Sequence, residues 1–131
     1  VFMTANDVSR PTDAELEILK VLWDRGACTV RDVFEVLSAE RETGYTTTLK
    51  LMQIMFEKGL VSRDESQKSH VYKARAKQQA TQRMLVTDLL TRAFGGSTEK
   101  LVVQALAAKK ASKEELAEIR RLLNELEGDE Q

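Results

Sequence analysis

Apolar residues in the N-terminal half recur every three or four positions, the spacing of a helix that turns one face to a core. In PTDAELEILKVLWDRG, Leu16, Leu19, Leu22 and Trp23 predict a first helix. Thr12 and Glu15 form a capping box behind Pro11, and Gly26 stops the helix. Val30, Val33, Phe34 and Leu37 predict a second, capped by Thr29. In YTTTLKLMQIMFEKGL, Thr48, Leu51, Met52, Met55 and Phe56 define the core face of a third, which Gly59 ends. Thr46, Leu49, Lys50 and Gln53 fall on its opposite face. Trp23 and Phe34 read as core residues.

Beyond Gly59 the period changes. Leu60 to Arg63 and His70 to Lys73 are short strand-like runs around the polar stretch DESQKS, which predicts a hairpin with an exposed tip. From Lys77 helical spacing returns, with Met84, Leu85, Leu89 and Phe94 apolar, until Gly95 and Gly96 break it. Ser97 caps the next segment, and Ser112 with Glu115 opens a last helix striped by Leu116, Ile119, Leu122, Leu123 and Leu126. The expected organisation is a loose tail over 1–10, a three-helix-plus-hairpin domain over 11–76, a helical domain over 77–127 and a frayed tail over 128–131. The second domain is too short to form more than a thin core, so pairing of two chains is the simple way to bury its leucines.

Composition sharpens this picture at one point. Of 131 residues, 42% are hydrophobic, enough for a packed core, and the net charge of −1 is not that of a strongly basic nucleic-acid binder. The charge is nevertheless segregated. Residues 1–43 carry 5 basic and 9 acidic side chains, a net of −4; residues 44–77 carry 7 and 3, a net of +4. The basic charge coincides with the third helix and the hairpin. Cys28 is the only cysteine, which precludes an internal disulfide and fits a reducing compartment. No apolar run approaches the ~18 residues of a membrane helix, so a soluble, cytoplasmic protein is expected.

Three helices followed by a hairpin, with the third helix and hairpin basic, predict a winged helix-turn-helix: mainly α, with a small β-hairpin. Its third helix enters a major groove of double-stranded DNA and its wing lies along the phosphates. Threonine hydroxyls at a helix start can bond phosphates or base edges, and their methyl groups can touch thymine. Thr46, Thr47, Leu49, Lys50 and Gln53 are therefore expected to face bases. Thr29, Tyr45, Lys58, Arg63, Lys68, Ser69 and His70 are expected at phosphates. Leu85, Leu89 and the stripe from Leu116 to Leu126 are expected to form a homodimer.

The stretches LEILKVLWDRGACTVRDVFEVL, YTTTLKLMQIMFEKGLVSR and HVYKAR resemble the BlaI/MecI family of penicillinase repressors, to which the copper-responsive CopY repressors are related. The likeness spans roughly residues 11–126 and includes Trp23, Thr47, the EKGL sequence and Tyr72. It implies a repressor that dimerises through its C-terminal helices and binds palindromic operators with TACA/TGTA-type half-sites. It further implies release through a membrane sensor-protease pathway that leads to cleavage. The chain departs from many relatives at Leu49, Lys50 and Ile54, where base preference would change. Gln104-Ala105 stands near the family's cleavable Asn-Phe bond, so induction by that cut does not carry over. A copper-thiolate site is excluded because the Cys-x-Cys motif is missing.

An enzyme is a poor fit. His70, the single histidine, lies in the expected wing with no orienting partner. Cys28 reads as a small packed residue in a helix-helix turn, and Glu114, Glu115 and Glu118 as a solvated face. No metal, cofactor or catalytic residue is assigned. The alternative to a repressor is a winged helix used only for protein contacts, which would show no salt-sensitive DNA binding.

Overall fold

The computed structural model describes residues 10–129, which form two compact units meeting at Met84/Leu85. Residues 1–9 of the tail expected at 1–10, and the last two residues, lie outside the described residues.

The first unit runs α1 (Asp13–Arg25), β1 (Cys28–Thr29), α2 (Val30–Ser38), α3 (Tyr45–Lys58), β2 (Val61–Asp64) and β3 (Val71–Ala74). It ends in the first turns of α4 (Gln78–Ala93). Capping residues set the helix starts. Thr12 accepts from the Glu15 N–H while the Glu15 carboxylate accepts from the Thr12 N–H, at 3.2 and 2.9 Å. Thr29 and Asp32 repeat this exchange at α2, at 3.1 and 3.0 Å. Gly59, at φ +81°, turns the chain out of α3, and the N–H of Leu60 returns to the carbonyl of Met55.

The sheet is antiparallel with order β1-β3-β2. Sequence periodicity gave no sign of β1, whose two residues are extended because Cys28 and Thr29 pair with Tyr72 and Val71. Both wing strands begin one residue later than expected. Leu60 is fully buried, and its carbonyl accepts from Arg75 and Ala76 rather than from a strand partner.

The core comprises Ile18, Leu19, Val21 and Leu22 of α1, Cys28, Val30, Val33 and Leu37 around α2, Met52 and Met55 of α3, and Leu60, Val61 and Tyr72 from the wing. Three expectations change. Leu16 is only half-buried, because α1 turns Ile18 and Val21 inward beside Leu19 and Leu22. Phe34 lies at the edge of the core, its ring perpendicular to that of Tyr45 at 5.8 Å. Phe56 is 36% exposed and carries the guanidinium of Arg63 at 4.0 Å from its ring centre. Trp23 packs against the core and donates its indole N–H to the carbonyl of Ala76 at 2.8 Å.

The second unit holds the rest of α4, α5 (Thr98–Ala108) and α6 (Lys113–Asp129). Gly95 and Gly96, both at positive φ, end α4, and the Gly96 N–H returns to the carbonyl of Leu90. Ser97 caps α5, and Ser112 with Glu115 caps α6 reciprocally at 3.0 Å. Arg121 pairs with Glu118 and Glu125 along the outer face of α6. Helical geometry continues through Asp129, so Gly128 belongs to α6 rather than to a frayed tail. Among its described residues this unit buries none fully, and Leu122, Leu123 and Leu126 are each at least half exposed.

Candidate nucleic-acid interface

Helix α3 sorts its residues by angle. Each step along a helix turns ~100°, so neighbouring threonines point in different directions. Thr48 is buried, and its hydroxyl donates to the carbonyl of Gly44 at 3.1 Å. Thr46, Thr47, Lys50 and Gln53 are exposed. Gly44 supplies no side-chain cap, and the first turn of α3 holds no acidic residue. The first N–H groups of α3 therefore meet solvent with the positive end of the helix dipole behind them.

An open groove of about 670 Å³ lies between the start of α2, the exposed side of α3 and the wing. It gathers Thr29, Tyr45, Leu49, Gln53, Arg63, Lys68, Ser69 and His70, residues up to 41 positions apart in the chain. Thr46, Thr47 and Lys50 stand on α3 outside its lining. The hydroxyl of Thr29 is already an acceptor in the α2 cap and retains its proton for an external acceptor. Lys68 and Ser69 are exposed at the wing, with His70 half-buried beneath them. The turn between the wing strands is set by Asp64, which accepts from the Ser66 N–H at 2.9 Å. Hydrogen bonds from the backbone and side chain of Ser66 hold the Asp64 carboxyl below its usual range, and His70 acts in the same direction.

Two expected contacts are placed differently. Lys58 does not line the groove; its ammonium meets Glu15 at 2.7 Å, and that carboxylate is 3% exposed. This makes Lys58 a brace between α3 and α1. Leu49 is half-buried against the core, so only its outer edge borders the groove. Arg63 lines the groove while held on three sides: by the ring of Phe56, by the hydroxyl of Tyr72 at 3.5 Å and by Glu65, whose carboxylate accepts from Nε at 2.7 Å. These bonds, that to Tyr72 foremost, raise its pKa further, and it stays charged throughout the working range.

Arg31 was missed from sequence. It is exposed, lines the groove and lies over the ring of Tyr45, 5.1 Å from its centre. A signal was available: an arginine in the first turn of a helix opposes the helix dipole, so its placement needs another reason. Asp32 and Glu35 also line the groove, and they would repel a phosphate from its α2 wall. The carboxylate of Asp32 is partly occupied by its cap.

Cys28 is buried, and its thiol is pushed up by desolvation and by Asp32, with Arg25 opposing. That environment favours the neutral thiol over a nucleophilic thiolate. Among the described residues no group of three or more His, Cys, Asp or Glu side chains could hold a metal, and no helix is long and apolar enough to cross a membrane.

The chain is similar to known proteins. The family model described as Penicillinase repressor covers residues 11–125. The transcriptional regulator BlaI of Mycobacterium tuberculosis is 30% identical over 122 residues, which cover 92% of this chain and 87% of that protein. The penicillinase repressor of Staphylococcus aureus is 19% identical over 113 residues, covering 86% and 90%. The solution structure of the DNA-binding domain of the repressor BlaI superposes with a TM-score of 0.50 at 22% identity, covering 54% of this chain and 87% of that one. That likeness supports the winged-helix fold of the first unit.

Proposed function

The chain belongs to the penicillinase repressor family, a family of transcriptional repressors and not of enzymes, and from that premise we propose that it represses transcription as a homodimer bound to a palindromic operator. One observation carries the DNA-binding side of this reading. The groove brings hydroxyl, amide, imidazole, ammonium and guanidinium groups from the start of α2, α3 and the wing to one surface, and its α3 and wing walls lie within the 44–77 segment of net charge +4. Thr46, Thr47, Lys50 and Gln53 are the side chains for base edges, with the rim of Leu49 beside them. Thr29, Arg31, Tyr45, Arg63, Lys68, Ser69 and His70 are those for phosphates. Lys58 leaves that set, since its charge is spent on Glu15.

Dimerisation is supported by the second unit, where Leu89, Leu116, Ile119, Leu122, Leu123 and Leu126 are exposed on a single chain and Leu85 is half-buried. Val86, Val102, Val103 and Leu106 of the same unit are exposed as well. A second copy would cover these side chains, and would bring two recognition helices to half-sites ~34 Å apart, one turn of duplex. Release by an upstream sensor or protease that cuts the dimer helices would then free the DNA by splitting the dimer.

The test is fluorescence anisotropy of the full chain with the promoter fragment upstream of its own gene, against a scrambled duplex of equal length. A preference of about 10³-fold at near-physiological salt is expected of a specific regulator. Equal binding to both duplexes would exclude autoregulation through that fragment. No salt-sensitive binding to either would overturn the DNA reading.

A further inference from the structure

Arg63 is the groove arginine that is ion-paired with a carboxylate among the described residues, and the geometry of that pair suggests a role for Glu65. Arg63 lies on β2 directly opposite Tyr72 of β3. Its guanidinium is stacked on Phe56 of the recognition helix, 4.0 Å from the ring centre, and it donates to the Tyr72 hydroxyl. Those contacts fix where the guanidinium plane sits. The remaining donors turn to Glu65, two residues along the chain, through Nε and a terminal nitrogen. Both donors grip a single oxygen, Oε2 of Glu65, and a carboxylate oxygen held in this way imitates a phosphate oxygen, since each is an anionic acceptor for the guanidinium N–H groups. Arg63 keeps 19% of its side chain exposed and borders the groove; Glu65 is 51% exposed and does not border it.

We propose that Glu65 is an internal competitor for the DNA phosphate that Arg63 would bind, so that docking exchanges the Glu65 carboxylate for a backbone phosphate while Phe56 and Tyr72 hold the guanidinium in place. The proposal rests on the DNA-binding reading above. Its consequence is a higher threshold for binding. Every duplex, right or wrong, must displace Glu65, so the ratio between operator and random DNA is unchanged while both affinities fall by the same factor. Random DNA, which has no base contacts on α3 to add, is thereby held at weak occupancy.

The exchange predicts a specific pattern in four full-length proteins: wild type, Glu65→Gln, Arg63→Gln and the double variant. Each is titrated against a fluorescein-labelled duplex of random sequence over a range of salt concentrations. Glu65→Gln is expected to tighten binding about two- to five-fold, the worth of an exposed ion pair, with the salt slope unchanged. Arg63→Gln is expected to lower the slope by about 0.9, the signature of one lost phosphate contact. In the Arg63→Gln background, Glu65→Gln is expected to have no further effect.

Equal tightening with and without Arg63 would reveal plain repulsion between Glu65 and DNA and overturn the exchange. An unchanged slope in Arg63→Gln would overturn it too, since Arg63 would then reach no phosphate. Arg63→Lys serves as a control for folding: it keeps the charge, so it should restore the slope even if the wing is loosened. If wild type itself shows no salt-dependent binding, the DNA reading has failed, a result distinct from either outcome in the variants.

Discussion

Lys58 offers the sharpest separation between what the sequence suggests and what the structure implies. As a lysine at the end of a basic helix it reads as a phosphate ligand, yet its ammonium lies 2.7 Å from the Glu15 carboxylate, itself 3% exposed. The perturbation is Lys58→Met, which retains most of the aliphatic stem and removes the charge. Exposed ion pairs are worth about 0–1 kcal/mol, whereas removing one partner of a buried pair costs about 3–5 kcal/mol. This pair lies between those limits, because Lys58 is 29% exposed and Glu15 retains the N–H of Thr12. A loss of about 2 kcal/mol follows. For a unit of this size that corresponds to about 8–16 °C in Tm.

The assay is thermal or urea unfolding followed by the fluorescence of Trp23, the single tryptophan, which is bonded to Ala76 within the first unit. Adding Glu15→Gln to Lys58→Met should recover part of the loss, because no unpaired carboxylate is then left buried. The salt slope of DNA binding should match wild type. If Lys58→Met instead melts like wild type and loses about 0.9 of the slope, Lys58 is a phosphate ligand and the brace between α1 and α3 is not what holds it.

Lys50→Ala should weaken binding to the preferred duplex by about 1–3 kcal/mol, the range for a good base contact, with sedimentation unchanged; equal losses on random DNA would move Lys50 to the phosphates. Leu122→Asp with Leu123→Asp should give a chain that sediments as a monomer and binds DNA weakly, and a dimer that survives both changes would remove α6 from the interface. Gly59→Ala should cost about 1–2 kcal/mol in urea unfolding. A Cβ there meets nothing within 4 Å, so the loss comes from the left-handed backbone at φ +81° alone, and a neutral result would contradict that conformation. The Cys28 thiol has its pKa raised above 9.0 by burial, so its contribution to stability is complete below that value and declines as pH rises through the folded value. Replacing it by Ala should flatten urea stability across that alkaline window.

Local signals made the first unit legible. Capping residues, helical spacing and Gly59 all act within a few residues, and the structure uses Thr12, Thr29 and Gly59 as the sequence implies. What escaped was non-local. The strand Cys28–Thr29 exists only through pairing with residues 71 and 72. Glu15 and Lys58 are 43 residues apart, and nothing in either neighbourhood announces the other. Phe56 has the spacing of a core residue, but it faces the wing, where its partly exposed ring is a platform for Arg63 of β2. Leu49 is the reverse case: it has the spacing of an outward residue, yet it is half-buried against the core and borders the groove as well. In the candidate interface, most of the groove lining consists of residues singled out from the sequence; Arg31 was signalled only by its unfavourable place in a helix first turn, and the pairing of Arg63 required coordinates.

The three consecutive threonines of α3 show how position decides role. They share one side chain and near-identical intrinsic preferences. Thr48 faces inward and spends its hydroxyl on Gly44, a bond to the preceding turn that satisfies it without any partner from outside. Thr46 and Thr47, rotated outward, are exposed beside helix N–H groups that no side chain caps. A hydroxyl buried without a partner would destabilise the fold, and one exposed to water contributes little to it. The fold therefore constrains Thr48 and leaves Thr46 and Thr47 to be chosen by what docks against them. Valine at position 48 would test the fold, and valine at 46 or 47 would test recognition, although all three substitutions are chemically the same.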